Sequence, residues 1–345
     1  MLTASATNDR LHRLPKAELH VHLDGSLRPS TMAALALERG IDLPTAHRDA
    51  LGPHMVVTDA HSLEEYLARF VLTLSVMQDR EAIERIAYDL IADHAAENVR
   101  YVEVRFCPAL CTRDGLHPDE VLDAALAGIH EAQVDHAVEA RVIVCALRTL
   151  DPSVSVEMAE LALAYRDRGV VAFDLAGAEA GNPVREHLEA FSLIHHAGLP
   201  VTVHAGEGFG APSIEEAVYL ARAQRIGHGT RLFEDPALLA HVRDQSIPLE
   251  VCLTSNIQTG AAATYAGHPV RQYRAEGIPV VLCTDNRLMS GVSVSDEYRH
   301  AEEHLGWSWN DLVSIARTGF ERAFADAGTR AALLGSFEAE VKRLG

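Results

Sequence analysis

The sequence predicts one (β/α)8 barrel of the α/β class. Three observations carry this: short β-branched runs alternate with helix-length stretches from end to end, eight such runs can be counted, and no low-complexity linker or repeat divides the chain. A length of 345 residues would by itself suggest about two domains, but a single barrel of this kind absorbs it. Residues 1–13 read as a flexible tail, and residues 14–345 as a single barrel domain.

The strands are expected at Ala17–His22, Tyr101–Phe106, Arg141–Ala146, Val170–Leu175, Pro200–His204, Arg225–Gly227, Leu249–Leu253 and Pro279–Thr284. Gly169, Gly198 with Pro200, Pro248 and Gly277 with Pro279 punctuate the turns entering four of them. Helical periodicity fits Glu120–Ala132, Val156–Arg166, Arg185–His196, Ile214–Arg222, Pro236–Asp244 and Pro269–Glu276. A further helix is expected over Ser62–Met77, where Ser62 and Glu65 have capping-box spacing. Almost eighty residues separate the first two strands, where a βα unit needs only ~30, so a long helical insertion is expected over the C-terminal face of the barrel. Within it, Leu67 and Phe70 are one helical turn apart and suit either an apolar lid or core packing.

Composition narrows the function. Forty-nine acidic against 30 basic side chains give a formal charge of −19, which argues against nucleic acid or an anionic membrane as partner. Hydrophobic residues at 48% and charged residues at 23% exclude disorder. No signal peptide and no apolar stretch of membrane-spanning length is visible, and Cys107, Cys111, Cys145, Cys252 and Cys283 are an odd number, four of them in apolar runs. Reduced, buried thiols in a cytoplasmic protein are therefore expected, and the lone C-x3-C of Cys107 and Cys111 is poor grounds for a zinc knuckle.

The chemistry sits at strand ends. His20 and His22 share one face of the first strand, a geometry that chelates a borderline metal, although 19 histidines in 345 residues make about one His-x-His pair a chance event. His204 closes the fifth strand and Glu207 follows on a glycine-flanked loop, where Gly206, Gly208 and Gly210 fail to complete G-x-G-x-x-G. His228 lies between Gly227 and Gly229 at the end of strand six, and Asp285 stops strand eight. Individually His228 is equally a turn residue and Asp285 a helix cap. Together these residues end strands one, five, six and eight, and those ends of a closed barrel converge on one pocket. Three imidazoles and one carboxylate suit a single Zn2+ per subunit, with Glu207 available to carry a proton.

His20-Val21-His22-Leu23-Asp24-Gly25, Asp174-Leu175-Ala176-Gly177, His204-Ala205-Gly206-Glu207, Gly227-His228-Gly229 and Thr284-Asp285-Asn286 resemble, in order, the signatures of the adenosine deaminase family of the amidohydrolase superfamily, from about Leu14 to the final helices. The resemblance implies a metal-dependent hydrolase barrel in purine nucleotide metabolism that converts adenosine or 2′-deoxyadenosine to the inosine product and ammonia. It implies zinc held by His20, His22, His204 and Asp285. Glu207 would protonate N1, and His228 would orient the metal's water and help take its proton. His22, Asp24, Gly177 and Asn286 would meet the substrate: Asp24 at ribose hydroxyls, the Gly177 backbone at N3 and Asn286 at N7. Two-metal barrels of the superfamily commonly carry a carbamylated lysine after strand four; the two lysines here, Lys16 and Lys342, are far from it, which favours one metal. A cytidine-deaminase type of site is excluded by the missing P-C-x-x-C.

Two positions depart from the family pattern. Asn286 stands where many members have a second Asp, and its amide can donate to N7 without first acquiring a proton. Leu253 stands where Pro is frequent, with a small backbone effect expected. The alternatives are deamination of another 6-aminopurine (aminodeoxyfutalosine or adenine), a different mononuclear zinc amidohydrolase acting on an amide or phosphoester, or a non-catalytic carrier of a metal-bound ligand. The oligomeric state is not legible.

Overall fold

Eight parallel strands close around one axis in the computed structural model, which describes residues 10–45, 48–58, 60 and 62–344. They are β1 (Lys16–His22), β2 (Val99–Phe106), β3 (Glu139–Leu147), β4 (Val170–Ala176), β5 (Thr202–Ala205), β6 (Arg225–His228), β7 (Leu249–Val251) and β8 (Val280–Leu282). β1 to β4 and β5 to β8 each pair in sequence order. Parallel bridges from Phe173 to Val201 and from Val21 to Asp285 join the two halves into a barrel. The Val21–Asp285 bridge sets the site directly: His22 donates its N–H to the Asp285 carbonyl at 2.7 Å, and Asp285 donates to the His20 carbonyl at 2.9 Å.

Apolar side chains from strands and helices form one continuous core from Leu11 to Phe337. The barrel interior is different: it holds buried ions. Arg105 bridges Asp174 at 3.0 Å and Glu250 at 2.8 Å, while Arg225 contacts Glu250 at 2.6 Å and also pairs with Glu103. Each charge is met by an opposite one, the condition under which buried ions are tolerated. Lys16 lies at the other end of β1 from His22, its Nζ donating to the carbonyls of Leu11, His12 and Leu14 at 2.7–3.2 Å.

Three expectations need correction. Residues 10–13 are not a loose tail: they form a helical turn with Leu11 buried and the Arg10 guanidinium 3.6 Å from the Trp309 ring centroid, while residues 1–9 lie outside the described residues. Strand seven ends at Val251, because the Glu297 carboxylate accepts the N–H groups of Leu253 and Thr254 at 2.9 and 3.0 Å and starts a helix over Leu253–Gln258. The Ser62–Met77 helix divides into Leu63–Leu67 and Phe70–Ser75. At the join the hydrogen bonds tighten to i−3 spacing, Arg69 to Tyr66 and Leu72 to Arg69, which turns the chain and leaves Leu67 and Phe70 on one cavity. Ser62 does cap the first piece, accepting from the Glu65 N–H at 3.2 Å.

The long connection between β1 and β2 contains, among the described residues, five helices, Pro29–Arg39, Arg48–Met55, Leu63–Leu67, Phe70–Ser75 and Arg80–Ala96. Among the described residues, no helix is long and apolar enough to cross a membrane. All five cysteines are buried and free.

Candidate active site

The C-terminal ends of β1, β5, β6 and β8 bring the predicted residues together. One ligand atom from each of His20, His22, His204 and Asp285 lies within 4.8 Å of the others. His22 Nε2 is 3.0 Å from His204 Nε2, and the Nε2 atoms of His20 and His22 are each 3.4 Å from Asp285 Oδ1. Glu207, His228 and Asp285 form an adjoining group, with His228 Nε2 3.4 Å from Glu207 Oε2.

Hydrogen bonds on the far side of two of the rings fix what they present. His20 Nδ1 contacts Glu250 Oε2 at 2.9 Å, and His204 Nδ1 contacts Asp174 Oδ2 at 3.0 Å. A carboxylate accepts Nδ1–H, so in the neutral rings the Nε2 lone pairs face the site, the arrangement in which histidine ligates a metal. His20 Nε2 is buried without a hydrogen-bond partner. Burial holds His22 and His204 below the ordinary imidazole pKa and so favours their neutral form. Ser255 donates to Asp285 Oδ2 at 2.6 Å, leaving Oδ1 for the cluster. Burial works against the Asp285 charge, but the imidazoles of His20, His22 and His228 gathered around it outweigh that and hold the group below the usual carboxylate range. The donor set therefore fits one divalent ion.

Glu207 is tuned the other way. The N–H groups of Gly206, Glu207 and Gly208 donate to the Glu179 carboxylate at 2.8–2.9 Å, which shapes the loop after β5. Burial first, then the charges of Asp285 and Glu179, push the Glu207 carboxyl well above its ordinary value. His228 and Asp285 have φ of 63° and 61°, the left-handed region that costs a residue with a side chain ~1–3 kcal/mol and that clusters at functional sites.

Above this floor lies a cavity of about 250 Å³. Leu63, Tyr66, Leu67, Phe70, Val71 and Leu74 roof it, while Asp24, Gly177 and Asn286 line it beside the imidazoles. The insertion therefore does cover the site, as its length predicts. Burial pushes the Asp24 carboxyl up to about 7.

Sequence reasoning missed the residues that orient this set. Asp174 and Glu250 are acids inside otherwise apolar strands, and with Arg105 their inward position was the available signal. Ser255, Asn256 and His268 lie in a stretch without periodicity and gave none. Thr149 and Leu110 also line the cavity and were not anticipated.

Fold and side-chain set define a barrel hydrolase with a buried acid beside a histidine–aspartate cluster that could hold a metal ion. The comparisons with known proteins agree: residues 15–339 match the family model described as adenosine deaminase, and the chain belongs to that family of hydrolytic deaminases. An adenosine deaminase from Mycobacterium sp. (strain KMS) is 42% identical over 352 residues, covering 96% of each chain. A probable adenosine deaminase from Dictyostelium discoideum is 39% identical over 93% of this chain, which spans only 42% of that longer protein. Among solved structures, adenine deaminase from Arthrobacter aurescens superposes with TM-score 0.89 at 27% identity over 95% of this chain and 99% of its own. Arabidopsis ADAL complexed with IMP gives 0.87 at 27% identity over 97% and 99%. An amidohydrolase from Burkholderia ambifaria with bound zinc gives 0.85 at 27% identity over 100% and 96%.

Proposed function

We propose that the protein deaminates adenosine and 2′-deoxyadenosine by hydrolysis, releasing inosine or 2′-deoxyinosine and ammonia, with one zinc ion per subunit held by His20, His22, His204 and Asp285. The carrying observation is a buried acid, Glu207, placed 3.4 Å from His228 and beside the three-histidine, one-aspartate cluster on the floor of an apolar cavity. A zinc ion there would lower the pKa of water enough to supply a nucleophile near neutral pH.

The chain's own residues do the rest. Glu207 gives its proton to N1 of the purine as oxygen bonds to C6, which relieves the charge that attack places on the ring. The water's first proton restores Glu207, and the remaining hydroxyl proton passes to the exocyclic nitrogen, which leaves as ammonia. His228 carries its proton on Nε2, because Asn256 donates to its Nδ1. It therefore aligns the attacking oxygen as a donor, a narrower role than taking up the water's proton. Asp24 meets ribose hydroxyls, Gly177 meets N3 through its backbone, and Asn286 donates to N7.

The cavity lining favours a nucleoside. Among the described residues it contains no Lys or Arg that could pair with a phosphate. Zinc-loaded enzyme given adenosine should shift the ultraviolet spectrum from adenosine-like to inosine-like with release of ammonia. No reaction with adenosine or deoxyadenosine, together with consumption of adenine or aminodeoxyfutalosine, would overturn the substrate assignment. The five buried free thiols support a reducing cytoplasm as the working compartment.

A further inference from the structure

The helix Val294–Leu305 carries a second group of ligating side chains on its outward face. His300, Glu303 and His304 are related by i, i+3 and i+4, so they project from one face, and one ligand atom from each lies within 4.8 Å of the others. The ring of Tyr265 lies nearly parallel to both imidazoles, with centroids 4.6 Å from His300 and 5.0 Å from His304. Tyr265 is itself held by a 3.0 Å hydrogen bond between its hydroxyl and Thr254 Oγ1. The two histidine rings are within 23° of parallel, so the tyrosine acts as a floor that aligns their edges.

One further observation points to a ligand. His300 Nδ1 is buried and has no hydrogen-bond partner, an unfavourable state for a polar ring atom unless something binds it. Burial also holds His300 below the ordinary imidazole pKa, with the neighbouring His304 and Arg299 acting in the same sense and Asp296 and Glu303 opposing. The neutral ring is the form that ligates.

We propose that His300, Glu303 and His304 form a second metal site, separate from the barrel mouth, that binds a borderline divalent transition metal such as Zn(II). Two imidazoles and one carboxylate are the ligand set such ions choose, and two histidines four apart on a helix are a recurrent chelating pair. The ligand atoms, within 4.8 Å of one another, must close up to reach ~2.1 Å from one ion, which side-chain rotation at the exposed Glu303 and His304 allows. The exposed positions of Glu303 and His304 leave the remaining coordination sites to water, so binding is weaker and faster to exchange than at the buried cluster. Cu(II) should bind more tightly than Zn(II).

The test is titration calorimetry of desalted, zinc-loaded enzyme with zinc chloride. The wild type should take up one further equivalent. His300→Ala/His304→Ala should abolish it, and the milder His304→Gln should weaken it by at least ~10-fold, the loss that even an outer-shell partner causes. All should keep the wild-type deamination rate. Zinc should also raise the melting temperature of Asp285→Ala, in which the barrel site is disabled, but not that of Asp285→Ala carrying the two histidine changes as well. The proposal fails if the wild type binds no further equivalent, or if that equivalent survives the double substitution. Failure of the barrel zinc assignment would show separately, as unchanged tight zinc in Asp285→Ala.

Discussion

The side-chain amide of Asn256 lies 2.9 Å from His228 Nδ1, at the end of a chain of hydrogen bonds whose direction is set by a backbone N–H. Val270 N–H donates to His268 Nδ1 at 3.1 Å, so His268 carries its proton on Nε2 and donates it to Asn256 Oδ1 at 3.2 Å. Thr230 donates to the same oxygen at 3.2 Å. The Asn256 amino group must then face His228, which places the His228 proton on Nε2, toward Glu207 and the cluster. Asn256→Asp keeps the shape and reverses the last bond: a carboxylate accepts Nδ1–H and strips Nε2 of its proton. We expect kcat to fall ~10²–10⁴-fold, as other wrong-tautomer changes do, with KM changed little. A rate within threefold of wild type would show that the tautomer has no bearing on turnover.

Glu207→Gln removes the acid while keeping its size. Folding and zinc content should be unchanged, and kcat should drop by at least ~10²–10⁴. The pH profile supplies the sign. Glu207 acts when protonated and its pKa is raised, so the wild-type rate falls as pH rises through that raised value, above the ordinary carboxyl range. In Glu207→Gln the residual rate should lose this alkaline limb. Persistence of the limb would assign it to another group.

The barrel was legible because each strand is a short apolar run bounded by turn residues, and all eight begin within two residues of the expected position. The cluster was legible for a related reason: His20, His22, His204 and Asp285 interrupt those runs at one end, and closure does the rest. What failed was local. Nothing in the composition of Leu253 shows that a glutamate forty-four residues later accepts its N–H. Equally, the 62–77 segment has helical periodicity throughout, yet the chain turns at Ala68–Arg69 and both halves line the cavity. The supporting residues Asn256 and His268 are defined only by contacts across loops.

Removal of the aspartate separates metal binding from folding. Asp285→Ala deletes the oxygen 3.4 Å from both His20 and His22 and frees Ser255. Elemental analysis should show the barrel zinc, one per chain in the wild type, reduced to well below stoichiometry, with activity lost in proportion. Chelator treatment of the wild type should produce the same loss, reversed by added zinc. Full occupancy in Asp285→Ala would contradict the ligand assignment.

A stability prediction concerns Glu97, remote from catalysis. Its carboxylate pairs with Arg287 and accepts the Ser295 N–H at 2.8 Å. Burial would raise its pKa, but the charges of Arg287, Lys16 and His94 outweigh that and bring it from 4.5 down to about 2. A depressed folded-state pKa means stabilisation that is complete above the unfolded value and lost as pH falls through about 4.5 toward 2. The wild type should therefore exceed Glu97→Gln by about 3 kcal/mol at pH 7, and urea midpoints of the two should converge as pH drops below 4.5. A constant difference across that interval would place the effect in packing rather than in the ion pair.

Gly25 sets the position of Asn286. A Cβ on residue 25 would lie 1.7 Å from Asn286 Oδ1 and 2.8 Å from its Cβ, so the asparagine must move out of the cavity to admit a methyl group. The backbone has little room to yield, since the Gly25 carbonyl accepts the Leu288 N–H at 3.0 Å. Gly25→Ala should cost ~1–3 kcal/mol of stability through overpacking. If Asn286 donates to the purine, Gly25→Ala should also reproduce the KM increase of Asn286→Ala. The two changes then act through one contact, so Gly25→Ala/Asn286→Ala should bind substrate no worse than Asn286→Ala alone, a deviation from additivity that a double-mutant cycle measures. Fully additive losses in KM would mean that Gly25 acts on the substrate by a route independent of Asn286.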